Sequence, residues 1–175
     1  MTGVQYHVDF KDLGIAEGFE AIADGAEDLT DLMDLVGSVL VNGAIERISS
    51  SNVSPDGVAW PQSLRAKEDG GRTLHESGLL MRSITSHAAP REVMVGSNMI
   101  YAGVHQAGAT IKAKTAKGLS FTLANGDSVV VGSVTIPARP YLGISEAEQA
   151  TIQDVTAIFV DDLLGGRSRS SARGG

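Results

Sequence analysis

The feature that most constrains this chain is a run of apolar residues recurring at intervals of three and four. Ile15, Phe19, Ile22, Ala26, Leu29, Met33, Val36, Leu40, Ala44 and Ile48 keep that spacing, and Glu17, Glu20, Asp24, Glu27, Asp28, Asp31 and Asp34 fill much of the remainder. The pattern predicts an amphipathic helix with one apolar stripe and one acidic face. As one straight helix it would extend about 50 Å at ~1.5 Å per residue, longer than a compact domain of this size is wide. The helix must bend or reach a neighbour. Gly25, Gly37 and Gly43 each lower interior helix propensity by ~1 kcal/mol relative to Ala, which puts the expected break near Gly37 or Gly43.

At 175 residues the chain is long enough to bury a core without staples, so the absence of cysteine costs the fold nothing. It does exclude thiolate nucleophiles, thiolate metal sites and disulfides. Apolar runs such as residues 129–131 are far too short to span a bilayer, and no basic leader precedes an apolar stretch at Met1, so neither a membrane span nor a secretion signal is expected. Charge is segregated: the net is −9 over residues 1–64, +4 over 65–139, −5 over 140–164 and +3 over 165–175. An acidic front argues against tight, non-specific nucleic-acid binding, which needs a cationic stripe.

Behind the helix the chain reads as α+β. Residues 4–10 alternate as a strand. The SPDG turn at Ser54 to Gly57 ends the helix, a loop carries Trp60, and EDGGR at Glu68 to Arg72 reads as flexible. Thr73 with Glu76 resembles a capping box for a helix over 74–82. Residues 84–88 and 92–96 read as paired strands with Val93 and Val95 on one face, and residues 100–108 as a helical turn ended by glycine. Strands at 110–114 and 119–123 follow. Asn125 and Gly126 predict a two-residue hairpin that sets Phe121 opposite Val130, with a return strand over 128–136 bulged at Gly132. Ser145 and Glu148 cap a final helix ending near Leu164. The expected architecture is a long N-terminal amphipathic helix and a C-terminal helix packed on an antiparallel β-sheet, in one domain over 1–164 with an Arg/Ser/Gly tail over 165–175.

No constellation supplies obvious chemistry. His7, His75, His87 and His105 match no metal-ligand spacing, and no glycine-rich loop has the form that cradles phosphates, so neither metal nor cofactor is expected. His105 beside Gln106 reads either as a general base or as a structural residue bonding a nearby group; without a nucleophile and an orienting acid the second is favoured. Arg139 between two prolines reads as a guanidinium displayed in a fixed direction, suited to a carboxylate, or as a snorkelling surface arginine. Tyr141 and Leu142 read as anchors onto the core or a neighbour, and Trp60 as a core lid or an interface anchor.

Four segments in order, SPDGVAW from Ser54, LHESGLLMRSI from Leu74, VGSNMIYAGVHQAG from Val95 and IPARPYLGIS from Ile136, resemble the phage virion morphogenesis family of Mu-like tail-completion proteins. The tail-completion proteins of lambdoid phages are more loosely similar. The resemblance covers residues 54–145. It implies a non-enzymatic structural protein of the head-to-tail joint, forming a homo-oligomeric ring of six around the DNA path. Implied partners are other neck proteins, the portal or connector, and the tail tube or terminator. Trp60, Tyr101, His105, Gln106, Arg139, Pro140 and Tyr141 stand at motif positions as fold and interface residues. Read in that setting, the acidic face of Glu20, Asp24, Glu27, Asp31 and Asp34 would line the channel and touch passing DNA only briefly. A tail terminator or a portal-bound connector ring is the alternative of the same class; a DNA-binding module using Lys112, Lys114, Lys117 and the arginine tail, or a hydrolase built on His105, represents the other classes.

Overall fold

The computed structural model describes residues 3–9, 28–123 and 126–171. In chain order its elements are β1 (Val4–Asp9), α1 (Thr30–Glu46), α2 (Leu64–Asp69), α3 (Leu79–Arg82), β2 (Ile84–Ala89) and β3 (Glu92–Ser97). Then follow α4 (Ala102–Ala107), β4 (Ala109–Lys112), β5 (Leu119–Thr122), β6 (Ser128–Val131), β7 (Ser133–Ile136) and α5 (Glu146–Ser171). The fold is α+β, mixing helices with antiparallel strands.

The central sheet runs β1-β3-β2, all antiparallel. Val8 and Ala88 both pair with Val93, and Tyr6 and Ser86 with Val95. Paired residues share a face, so Val8, Val93 and Val95 form one apolar surface, as the alternation implies. Helix α1 covers it by packing on β2 and β3. Leu32, Met33, Val36, Leu40 and Ala44 are buried at the expected spacing. Each fully buried Leu, Met or Val is worth about 1.5–3 kcal/mol, so this stripe holds the two layers together.

One expectation about the helix needs correction. Residues 15–27 of the expected helix lie outside the described residues; the described part begins at Thr30, after Asp28 and Leu29, which are not helical. Asp28 Oδ1 accepts from the Thr30 amide at 2.9 Å, and the Leu29 amide donates to the Pro90 carbonyl at 3.1 Å, tying the helix start to the β2–β3 turn. Gly37 and Gly43 lie inside an unbroken helix. A Cβ at Gly37 would sit 2.8 Å from Ser86 Cβ, and one at Gly43 would collide with the Glu148 carboxylate. These glycines permit close packing instead of a bend. After Glu46 the helix widens into one π-helical turn, Arg47–Ser51, closed by Asn52 at φ 52°.

α5 packs against α1. Its start is fixed by the predicted capping box: Glu148 donates its amide to Ser145 Oγ at 3.3 Å, and Glu148 Oε2 accepts from the Ser145 amide at 2.6 Å. The same carboxylate forms a buried ion pair with Arg47, whose Nη1 donates to the Tyr141 carbonyl at 3.1 Å. The helix continues past Leu164 to Ser171, into residues read as tail, because no proline stops it and propagation adds one bond per residue.

Three local readings also change. Thr73 is buried and accepts from the Ser63 amide at 3.2 Å, so its oxygen does not cap; Leu74 adopts φ 65° and α3 starts only at Leu79. The stretch read as flexible holds the end of α2, capped by Ser63 Oγ on the Ala66 amide and closed by Gly70 at φ 69°. Phe121 pairs with Val129 instead of Val130. The Leu123 amide donates to the Asp127 carbonyl at 2.8 Å and Gly126 adopts φ 90°, while Asn125 of the expected turn lies outside the described residues.

The 128–136 strand divides at Gly132: β6 pairs with β5, and β7 with β4. Across Gly132 the alternation of exposed and half-buried residues shifts by one. This is the effect of an inserted residue, and it keeps Val129, Val131, Val134 and Ile136 in phase. Residues 109–136 thus form an arm of two successive ribbons, on which Ile111, Phe121 and Val130 are exposed.

Candidate functional site: the junction of the four motif segments

The YAGVHQAG and PARPYLG segments co-occur because they bond to each other. The Arg139 amide donates to the His105 carbonyl at 2.7 Å. Gln106, one residue on, uses its side chain as a peptide group would: Oε1 accepts from the Tyr141 and Leu142 amides, and Nε2 donates to the Leu142 carbonyl, all at 3.0 Å. Pro137 and Pro140 cannot take part in a strand ladder, so this amide clamp satisfies the backbone between them and the next helix. Gly108, at φ 73°, is needed for the approach, since a Cβ there would stand 2.7 Å from the Ala138 nitrogen.

The SPDGVAW segment locks the other side. Trp60 is buried and donates from Nε1 to the Pro140 carbonyl at 3.1 Å, while the Pro61 carbonyl accepts from Arg139 Nε at 2.8 Å. Gly143, at φ 147°, leaves room for Pro55. Tyr141 is wholly buried, its hydroxyl donating to the Ala102 carbonyl at 3.4 Å; burial, and secondarily Tyr101, pushes its pKa far up.

The LHESGLL segment completes a pocket of about 370 Å³, lined among others by Leu74, Glu76, Leu80, Tyr101, His105 and Arg139. Tyr101 and His105 meet edge to face with ring centroids 5.8 Å apart. Arg139 is not the displayed or snorkelling side chain expected from its proline frame: it is 5% exposed, drawn in by its two bonds. Burial lowers its pKa. Burial, with the charge of Arg139 second, also holds His105 below the usual imidazole value.

The structure therefore brings Trp60, Tyr101, His105, Gln106, Arg139, Pro140 and Tyr141 to one place. Asp31 and Asp34 lie elsewhere, exposed on α1; Glu20, Asp24 and Glu27 lie outside the described residues. Sequence reasoning did not single out Leu74 and Glu76 as pocket residues, although both stand in the quoted LHESGLL segment. It also missed the Arg47–Glu148 pair, for which no local pattern exists. Among the described residues no three acidic or histidine side chains gather as a metal site, and no helix is long and apolar enough to cross a membrane.

The chain matches the phage virion morphogenesis family over residues 11–161 and belongs to it. That membership assigns it a structural role in virion assembly. Neither a curated protein nor a solved structure matches it.

Proposed function

We propose that this member of the phage virion morphogenesis family is a ring subunit of the head-to-tail joint, six copies of which surround the DNA path and join tail to head. It acts without catalysis, by shape and contact. Its neighbours are other neck proteins, the portal or connector, and the tail tube or terminator.

The observation that carries this reading is the arm at residues 109–136. A two-stranded ribbon is marginal on its own, yet Ile111 is 42%, Phe121 36% and Val130 60% exposed. The arm joins the hydrogen-bonded junction at both ends, through Gly108 and Pro137. Phe121 lines a cleft with Leu64 and Arg65 of α2; the exposed apolar residues of the arm suit heterologous contact between ring neighbours, in which one patch meets a different patch on the next copy. The exposed Asp31 and Asp34 face the channel, where they repel phosphate and keep DNA contact brief.

Imaging purified particles with this chain located is the test. A closed ring at the joint is the expected result. Absence from mature particles, with infectious virus formed normally after deletion of the gene, would overturn the reading.

A further inference from the structure

The junction pocket holds a guanidinium that makes no ion pair among the described residues. Arg139 Nε is satisfied by the Pro61 carbonyl, but among the described residues no carboxylate lies within ion-pair distance of the guanidinium, and its terminal nitrogens have no acceptor. Arg65, on the same pocket wall, is the contrast: it bonds Asp69 at 2.8 Å and the Arg72 carbonyl at 2.6 Å, and lies 3.8 Å from Glu76. His105 adds a second unmet group, since its Nδ1 is buried without a partner. The tip of an otherwise buried side chain is thus open to the pocket, where an acceptor can reach it.

We propose that this pocket is a socket for a carboxylate side chain of a neighbouring protein subunit, held by the terminal nitrogens of Arg139. The guanidinium fork matches a carboxylate in two parallel bonds. Beside Arg139 the recess offers the apolar surfaces of Leu74, Leu80 and Tyr101, which suit the stem of a side chain that ends in a carboxylate. That the donor is a neighbouring subunit rests on the assembly reading, whereas the socket itself does not.

The test uses the full-length, isotope-labelled chain and follows the His105 ring and Arg139 Nε resonances during titration with acetate, acetamide and inorganic phosphate. Saturable shifts with acetate in the millimolar range, none with acetamide and weaker ones with phosphate are expected. Glu76→Gln, which removes the exposed carboxylate on the pocket rim, should tighten acetate several-fold. Arg139→Lys, which keeps the charge and loses the fork, should weaken acetate tenfold or more, as should Arg139→Gln if circular dichroism shows it folded. Equal response to acetamide, tighter binding of phosphate, or a response surviving Arg139→Lys would overturn the socket. So would a silent wild type beside a responsive Glu76→Gln, because Glu76 would then be the occupant. Imaging of particles separates the two readings: acetate binding by a chain that forms no ring leaves the socket standing alone, and a ring without acetate binding leaves the assembly standing alone.

Discussion

The junction and the arm are consecutive in the chain, yet they are held together by different kinds of bond. In the junction, single side chains tie distant stretches of backbone: Gln106 to residues 141 and 142, Trp60 to 140, Arg139 to 61. In the arm, the bonds are the backbone ladders of β4 with β7 and β5 with β6. A ladder accepts almost any residue that fits the alternation. An amide clamp accepts only a side chain of one length carrying both a donor and an acceptor. This difference explains why recognisable sequence words lie in the junction, while the arm shows only a period and a turn.

The largest effect should follow from cutting the tie between the junction and the helices. Arg47→Ala strands the buried Glu148 carboxylate and should cost about 3–5 kcal/mol in urea unfolding. Replacing both partners, as Arg47→Met with Glu148→Leu, should recover much of that loss. Equal losses for the single and the double variant would show that the charge itself is not what matters. Next comes Gln106→Leu, which keeps the bulk but leaves the Tyr141 and Leu142 amides without an acceptor, at about 1–3 kcal/mol each.

The arm should behave in the opposite way. Ile111→Ser with Phe121→Ser should change the stability of the isolated chain by no more than about 0.5 kcal/mol, as expected for surface positions, and should abolish the proposed ring in sedimentation. A loss of several kcal/mol would place the arm in the core and erase the contrast with the junction.

The same contrast governs what the sequence made legible. The apolar stripe of α1, the alternation of β1 and β3 and the Ser145–Glu148 box were readable, because each depends on neighbours within one element. The tie of Leu29, just ahead of α1, is to the Pro90 carbonyl, and the purpose of Gly43 depends on Glu148, both far along the chain. Thr73 and Glu76 had the spacing of a cap, but Ser63 claims the threonine oxygen. At the site, the residue set was legible from its motifs. The burial of Arg139 was not, since a proline frame fixes the backbone direction and says nothing about what covers the side chain.

The smallest predicted effect sharpens the comparison through pH. His105 has a folded-state pKa held below the unfolded value of about 6.5 by burial and by Arg139. As pH falls through about 6.5, the unfolded chain takes up a proton that the folded junction refuses, so stability declines; it stops declining once pH passes the lower folded value. Above pH 7 both states are neutral and this contribution is flat. His105→Gln removes it, so the stability gap between wild type and variant should shift in the variant's favour on acidification. Glu76 and Arg65 line the same pocket, and Glu76→Gln serves as a control that should retain the wild-type dependence on His105. The arm contains no histidine, so Ile111→Ser with Phe121→Ser should also keep the wild-type profile. A pH-independent gap between wild type and His105→Gln would mean that the junction opens enough to solvate the ring, and the rigid half of the comparison would fail.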